Sequence, residues 1–170
     1  MSKAFTRESD DAPEVPLRPR RSSPLPAGVK NYLTSNGAAN LREELNLLLQ
    51  TERPGLLALP ETDPAKSRLP AVNERIEHIQ EALGSAVVVE APPLPHDQVR
   101  FGATVTARNQ RGEEMLYRIV GVDETDLDRD WISWLSPIAK ALLNARLGQT
   151  LRIKLPAGEE QLSIVGIRYE

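Results

Sequence analysis

The sequence predicts an α+β protein in which an antiparallel helical hairpin precedes an antiparallel sheet packed on one short helix. Apolar residues recur every three or four positions through residues 38–83, which is the spacing of amphipathic helices. From residue 86 onward the apolar period changes to two, as in half-buried strands. Only the stretch 136–148, SPIAKALLNARLG, returns to a helical pattern. Helices followed by a run of strands predict segregated layers.

The hairpin is predicted at residues 32–85. Thr34 is the expected N-cap of the first helix, whose apolar seam comprises Ala38, Leu41, Leu45 and Leu48. The same stepping continues in the second helix at Leu69, Val72, Ile76, Ile79 and Leu83. Gly84 is the expected C-terminal stop. Because two amphipathic helices joined by a short turn lie antiparallel, we expect a coiled-coil hairpin.

The turn between the helices carries two carboxylates, Glu61 and Asp63, among prolines. Asp63–Pro64 is a good N-cap and N1 pair, and Leu69–Pro70 offers a second start for the returning helix. We prefer Asp63. Pro54 and Pro70 then lie at similar height on opposite arms, and each removes a backbone hydrogen bond. These prolines predict a bent or flexible tip.

The remainder of the chain, residues 86–170, is predicted to form one domain. Its strand-like segments are 86–90, 98–108, 113–121, 131–134, 149–155 and 160–169. Residues 109–112 and 156–159 have the composition of hairpin turns, and 91–97 is a linker. For the short helix, Ser136 is the expected N-cap, Pro137 the N1 residue and Gly148 the stop.

Residues 1–31 are predicted to form a disordered arm. They hold five of the fourteen prolines and no periodic apolar pattern, so burial does not offset the entropy lost on ordering. The RPRR run at 18–21 is able to contact phosphates, but a solubilising role is the simpler interpretation.

Composition excludes several classes of function. There are no cysteines, and the two histidines, His78 and His96, belong to no metal-ligand or catalytic motif. Phosphate-binding, dinucleotide-binding and serine hydrolase motifs do not occur in the sequence. A net charge of −3 argues against autonomous DNA binding. No apolar run suits a membrane span and the start MSKAFTR lacks a signal-peptide pattern, so we expect a cytoplasmic protein that does not contact membranes.

Several motifs in register carry a family resemblance. FGA-x-V (101–105), YRIVG-x-DE (117–124), IS-x-x-SPIA-x-ALL (132–143) and a late PAGE turn (156–159) follow one another. Upstream stand YLTSNGAANLREEL, ERP and ERIEHIQEALGSAVVVE. Residues 101–170 strongly resemble the C-terminal domain of bacterial Gre-type transcription elongation factors, and the upstream motifs resemble the two arms of the family's coiled coil.

The resemblance implies an FKBP-like C-terminal domain that docks on RNA polymerase at the rim of the secondary channel, which the coiled coil enters. It places Ser136, Pro137, Ile138 and Ala139 at the docking surface, with Leu135 where relatives often have Asp or Asn. We add Trp134 to this surface. Strand alternation puts Trp131 and Trp134 on opposite faces, so at most one is expected in the core and the other as an interface anchor. A core role for both stays open if the short helix covers that side. Contacts with nascent RNA or DNA are expected only within the elongation complex, and the protein is expected to be a monomer.

In the family, two tip acids help to hold a second Mg²⁺ at the polymerase active centre, which makes Glu61 and Asp63 the metal candidates here. Lys66 and Arg68 are further tip candidates. The family's Asp-Leu-x-Glu-Asn type tip is missing, and the coil is about a dozen residues shorter. A loss of about six residues in each arm shortens the reach of the coil by about 9 Å. Two interpretations stay open: Asp63 caps a helix beside a solvated Glu61, which we prefer, or both acids deliver Mg²⁺. We expect no cofactor beyond a share in the polymerase Mg²⁺.

Three functions follow. The preferred one is an elongation regulator that binds polymerase and stimulates transcript cleavage weakly or not at all. The first alternative is a full cleavage factor that uses Glu61 and Asp63, and the remote one is a prolyl isomerase suggested by the FKBP-like domain alone. In the first two, the polymerase performs the chemistry and this chain is not an enzyme.

The acid-rich stretch VDETDLDRDW (122–131) has alternating acids that resemble a calcium loop. It lacks the glycine at loop position 6 and the terminal glutamate of such loops. We therefore predict a solvated charged loop.

Overall fold

The computed structural model describes residues 25–155 and 158–170, without the side chain of Leu155. Most of the arm predicted at residues 1–31 lies outside the described residues. So does part of the turn predicted at 156–159. No described helix is long and apolar enough to cross a membrane.

The first half, residues 31–89, is a helical hairpin closed by two short strands, and we call it the hairpin half. The outgoing arm comprises β1 (Asn31–Thr34), α1 (Ser35–Leu47), a π-helical turn (Leu48–Glu52) and α2 (Arg53–Ala58). The returning arm comprises a 3₁₀ turn (Pro64–Arg68), α3 (Leu69–Ser85) and β2 (Ala86–Val89).

Each irregular turn ends two residues before a proline. In the outgoing arm, the Arg53 amide donates to the Leu48 carbonyl, one residue further back than in an α-helix, and Pro54 follows. Because Pro54 has no N–H and its ring crowds the carbonyl four residues earlier, a widened turn relieves the clash. In the returning arm, the 3₁₀ turn precedes Pro70, so Asp63–Pro64 and Leu69–Pro70 each begin a helical segment. A bend at the tip stays a prediction.

The predicted apolar seam forms the core of the hairpin half. The members that are buried are Ala38, Leu41, Leu48, Val72, Ile76 and Ile79, while Leu45, Leu69 and Leu83 pack against them. The predicted stop at Gly84 is wrong, because α3 continues through it to Ser85. The helix ends where Ala86 turns to extended backbone and begins β2.

The two strands that close the hairpin half form a sheet of their own. β1 and β2 pair in parallel, with Asn31 opposite Ala86 and Thr34 opposite Val89. The strand predicted at 86–90 therefore exists but does not join the larger sheet. Sequence analysis did not predict β1.

Residues 98–170, which we call the sheet half, contain one five-stranded sheet and a short helix. The elements are β3 (Thr104–Asn109), β4 (Glu114–Val120), β5 (Trp131–Ser133), α4 (Pro137–Leu142), β6 (Thr150–Leu155) and β7 (Gly158–Arg168). The strand order is β5-β4-β3-β7-β6. β4 and β5 are parallel and the other pairs antiparallel, so the prediction of an antiparallel sheet is wrong at this edge. The cause is the crossover through residues 121–130.

The ends of two predicted elements also differ. The strand predicted at 98–108 begins only at Thr104. Ser136 caps α4 as predicted, since its Oγ accepts from the Ala139 amide at 3.2 Å, but the helix ends at Leu142. Asn144, with φ of 68°, then reverses the chain well before Gly148. Ala139 and Leu142 join the buried core of the sheet half.

Candidate functional site

The tip of the hairpin, residues 59–68, is a turn closed by its own backbone and by Asp63. The Asp63 amide donates to the Pro60 carbonyl at 3.0 Å. The Asp63 carboxylate accepts from the Ala65 amide at 2.9 Å and so caps the 3₁₀ turn. Asp63 is a cap as predicted, but it caps the 3₁₀ turn, and the α-helix of the returning arm begins at Leu69 and not at the preferred Asp63.

Lys66 ties the two sides of the tip together. Its Nζ donates to the Leu59 carbonyl at 3.1 Å and pairs with the Glu61 carboxylate. The Lys66 side chain is only 18% exposed, whereas that of Glu61 is 89% exposed. The Lys66 side chain therefore lies along the turn, and its ammonium group links the Leu59 carbonyl to the exposed Glu61 carboxylate. Arg68 is exposed.

Glu61 and Asp63, the predicted metal ligands, both have partners within the tip. No cluster of three or more aspartate, glutamate or histidine side chains suited to a metal ion occurs within residues 25–155 and 158–170. One carboxylate is engaged by a backbone amide and the other by an ammonium. Metal sharing with a polymerase stays a prediction.

The predicted docking residues differ in exposure at the start of α4. Pro137 is exposed, and Ser136 and Ile138 are half-buried. Ala139 is fully buried, so the expectation that it contacts a partner is wrong. It instead holds α4 against the core and thereby fixes the position of Pro137.

Both tryptophans make contacts within the molecule. The Trp134 ring meets Tyr32 of β1 edge-on at 5.1 Å between centroids, and it also packs against the core of the sheet half. The Trp131 ring lies under the guanidinium of Arg118, 4.5 Å from the ring centroid, beside a cleft of about 290 Å³. Trp134 therefore joins the two halves. Both rings are half-buried, whereas the prediction had one in the core and one exposed as an anchor.

The two halves meet at a junction that we call the base, residues 31–34 and 121–124. Glu124 Oε2 accepts from the Thr34 amide at 2.9 Å and from the Gly121 amide at 3.0 Å. Its Oε1 accepts from the Thr34 hydroxyl. The Thr34 hydroxyl in turn accepts from the Gly37 amide at 2.9 Å, which caps α1 as predicted.

The neighbouring acid, Asp123, contacts the returning arm. Its side chain is 7% exposed and lies 3.0 Å from His78 Nε2. Asn31 Nδ2 also reaches it at 3.5 Å, while donating to the Ala82 carbonyl at 3.1 Å. Adjacent carboxylates on the 3₁₀ turn Val122–Glu124 therefore bind the two arms of the hairpin half.

These contacts correct the prediction for residues 122–131. Asp128 and Asp130 are exposed, as expected of a charged loop, but Asp123 and Glu124 are structural residues of the base. The local charge pattern predicted solvated side chains, because it does not reveal distant partners. The partners of these acids in the hairpin half are about 45 to 90 residues away in the sequence. The only sequence signal was the DE that ends the YRIVG-x-DE motif.

Comparison with known proteins places the chain among transcription elongation factors. The family model "Transcription elongation factor, GreA/GreB, C-term" matches residues 94–169. Transcription elongation factor GreA of Trichlorobacter lovleyi is 37% identical over 152 residues, which cover 81% of this chain and 96% of that protein. GreB of Neisseria meningitidis serogroup B is 35% identical over 156 residues, covering 83% and 95%.

A solved structure, the GreA/GreB factor of Nitrosomonas europaea, is 25% identical and covers 82% of this chain and 100% of that one, with a TM-score of 0.42. That score carries no argument about shape. Sequence identity above 30% across nearly the whole length of two relatives is sufficient by itself to establish the family. The chain belongs to the GreA/GreB family of transcription elongation factors.

Proposed function

We propose that this elongation factor binds RNA polymerase through the sheet half and extends the hairpin half into the secondary channel as a coiled coil. There it modulates paused or arrested complexes and stimulates transcript cleavage weakly or not at all. Family membership supports the role in elongation. The pairing of Lys66 with Glu61 and with the Leu59 carbonyl is the observation that carries the finer part of the proposal.

Lys66 opposes metal delivery in two ways. A hard dication needs several oxygen ligands, and at the tip the exposed Glu61 carboxylate already pairs with an ammonium. A metal ion arriving there would meet a positive charge within a few ångströms, which disfavours binding. Asp63 is engaged by the Ala65 amide, so offering both its oxygens to a metal would weaken the cap.

The start of α4 supports docking by the sheet half. Pro137 is exposed at the first turn, whereas Ala139 and Leu142 are fully buried and hold the helix on the core. A partner would therefore meet a rigid ridge made by Pro137 and the half-buried Ile138, and rigid surfaces bind with less loss of entropy.

Any RNA hydrolysis in the complex would be chemistry of the polymerase, with this chain as a non-catalytic partner. The competing function is full cleavage stimulation, and one observation favours it: the Glu61 side chain is 89% exposed at the end of the hairpin half. In that case the complex would have to displace Lys66 from Glu61. Prolyl isomerase activity is a separate expectation, and a peptide isomerisation assay checks it.

Binding to RNA polymerase is tested with a charge placed on the docking surface. We expect Pro137→Glu to weaken binding at least tenfold, because it buries a carboxylate against the partner. Glutamate is tolerated at the first position of a helix, so the fold is retained. The matched control is Gln110→Glu in the turn between β3 and β4, which adds the same charge away from α4. Equal affinities of the two variants would reject the α4 surface, and no binding by the unchanged protein would reject the proposal.

A further inference from the structure

We infer that Glu124 is a positioning residue that sets the direction in which the hairpin half leaves the sheet half. The geometric part of this inference stands on the base alone. Its consequence for transcription rests on the proposed function, since only a bound polymerase makes the position of the tip matter.

The Glu124 carboxylate is shared between the two halves. It accepts from the amide and the hydroxyl of Thr34 on one side and from the Gly121 amide on the other. Hydrogen bonds to an ionised group are shorter and stronger than neutral ones. Thr34 and Gly121 are both buried, so water does not readily replace the carboxylate.

The cap of α1 depends on this carboxylate. Because the Thr34 hydroxyl donates its hydrogen bond to Glu124, its lone pairs are left to accept from the Gly37 amide. A negative charge behind the first turn also complements the helix dipole. The first turn of the hairpin half is therefore oriented by a residue of the sheet half.

The two halves are closely packed at the base. A Cβ added at Gly37 would lie within 3.0 Å of the Glu124 carboxylate, and one added at Gly121 would lie within 3.0 Å of the Tyr32 carbonyl. Backbone of β1 and α1 is therefore pressed directly on residues 121–124. Two glycines at one interface allow a close approach that any side chain would prevent.

The returning arm is held by the neighbouring residue, Asp123, through His78 of α3. Asn31 of β1 reaches the same carboxylate and also donates to the Ala82 carbonyl of α3. Two points of attachment on one short 3₁₀ turn define a direction, whereas one point defines only a pivot. The outgoing arm, residues 35–58, is about 36 Å long at 1.5 Å per residue, so a rotation of about 10° at the base moves the tip by about 6 Å. That displacement exceeds the tolerance of any specific contact at the tip.

The inference is tested by measuring the direction of the hairpin half in the full chain. Since the sequence has no cysteine, Arg68→Cys and Arg152→Cys create a unique pair of spin-label sites, one at the tip and one on β6, both exposed. Pulsed electron paramagnetic resonance then gives the distribution of distances between them. We expect one narrow distribution for this reference protein.

Glu124→Gln is the decisive variant, because glutamine has an NH₂ group in place of one carboxylate oxygen. One of the hydrogen-bond donors at the base then faces another donor. We expect the distribution to shift or to broaden about twofold, with the amide exchange of Ile79 and Ile119, in the two cores, unchanged. The matched control is Glu114→Gln, a carboxylate that pairs with Arg108 on the sheet surface and leaves the distribution as it was. If Glu124→Gln unfolds either half, Thr34→Val takes its place; it removes the hydroxyl that donates to Glu124 and that also accepts from the Gly37 amide.

A distribution that stays narrow and unshifted in a folded Glu124→Gln or Thr34→Val protein overturns the inference. The distance is measured without polymerase, so it is independent of the proposed function. A changed spin-label distance, together with unaltered polymerase affinity and a lost effect on elongation, supports both the positioning role and the proposed function. A changed distance in a protein that never binds polymerase supports the positioning role and rejects the proposed function.

Discussion

The two ends of the hairpin half use carboxylates in opposite ways. At the base, Asp123 and Glu124 are largely shielded from solvent and bind residues of distant elements. At the tip, Glu61 is 89% exposed, and Glu61 and Asp63 both contact residues only two to five positions away. The base therefore depends on the whole fold, whereas the tip is built from its own ten residues.

This difference determines what each end contributes. An acid with long-range partners in a partly buried junction is costly to remove, because its donors are left without partners. An acid in a solvated turn is replaced by water at little cost. The base should therefore control stability and orientation, and the tip should tolerate change without loss of the fold.

The largest effect is expected for Glu124→Ala. Two buried amide donors and the Thr34 hydroxyl lose their acceptor, which should lower the free energy of unfolding by about 2–4 kcal/mol. Urea denaturation followed by circular dichroism measures this change. The control at the other end, Glu61→Ala, should leave the urea midpoint unchanged, and equal losses at both ends would contradict the comparison.

A pair of glycine substitutions sharpens the same contrast. Gly37→Ala should destabilise the protein by about 2 kcal/mol, because the new Cβ collides with the Glu124 carboxylate. Gly55→Ala, in the exposed part of α2 with nothing within 4 Å, should stabilise it by about 0.5–1 kcal/mol through helix propensity. Thermal denaturation of both variants checks the opposite signs. Stabilisation by Gly37→Ala would show that the base has room to move.

Loss of the cap at the tip should have a smaller effect. Asp63→Ala removes the acceptor of the Ala65 amide and should cost about 1 kcal/mol of local stability. Amide exchange should rise in residues 64–68, with Ile79 and Ile119 unaffected. Exchange that also rises at Ile119 in the sheet half would contradict the view that the tip is locally built.

Addition of Mg²⁺ to the free protein should have the smallest effect. Because Lys66 already neutralises Glu61, millimolar Mg²⁺ should leave the amide resonances of residues 59–68 unchanged. Lys66→Ala, which frees the Glu61 carboxylate, is the matched variant and should show small, saturable shifts. Saturable shifts in the unchanged protein would place a metal at the tip.

Local patterns in the sequence predicted the hairpin half well. The apolar seam depends on helical spacing, and the caps at Thr34, Asp63 and Ser136 depend on contacts two or three residues away, so all of them are confirmed. Gly84 and Gly148 were wrong as stops, because the turn into β2 and the left-handed Asn144 end the helices instead.

Long-range pairing lay beyond the same patterns. β1 has four residues and finds its partner after the whole hairpin, and the parallel β4–β5 pair depends on a crossover. Asp123 and Glu124 carry the same charge pattern as the exposed acids that follow them. Only the fold separates them, since a carboxylate is structural when its donors come from elsewhere in the chain.

The central claim, that the tip occupies the polymerase channel without delivering a metal, is tested most directly by transcript cleavage in backtracked elongation complexes. The complexes are saturated with this protein, and binding to the same polymerase is measured in parallel. We predict binding with little or no acceleration of cleavage above the rate of the polymerase alone. Strong acceleration that disappears in Glu61→Ala or Asp63→Ala, while binding is retained, would contradict the claim and make the tip a metal-delivering one.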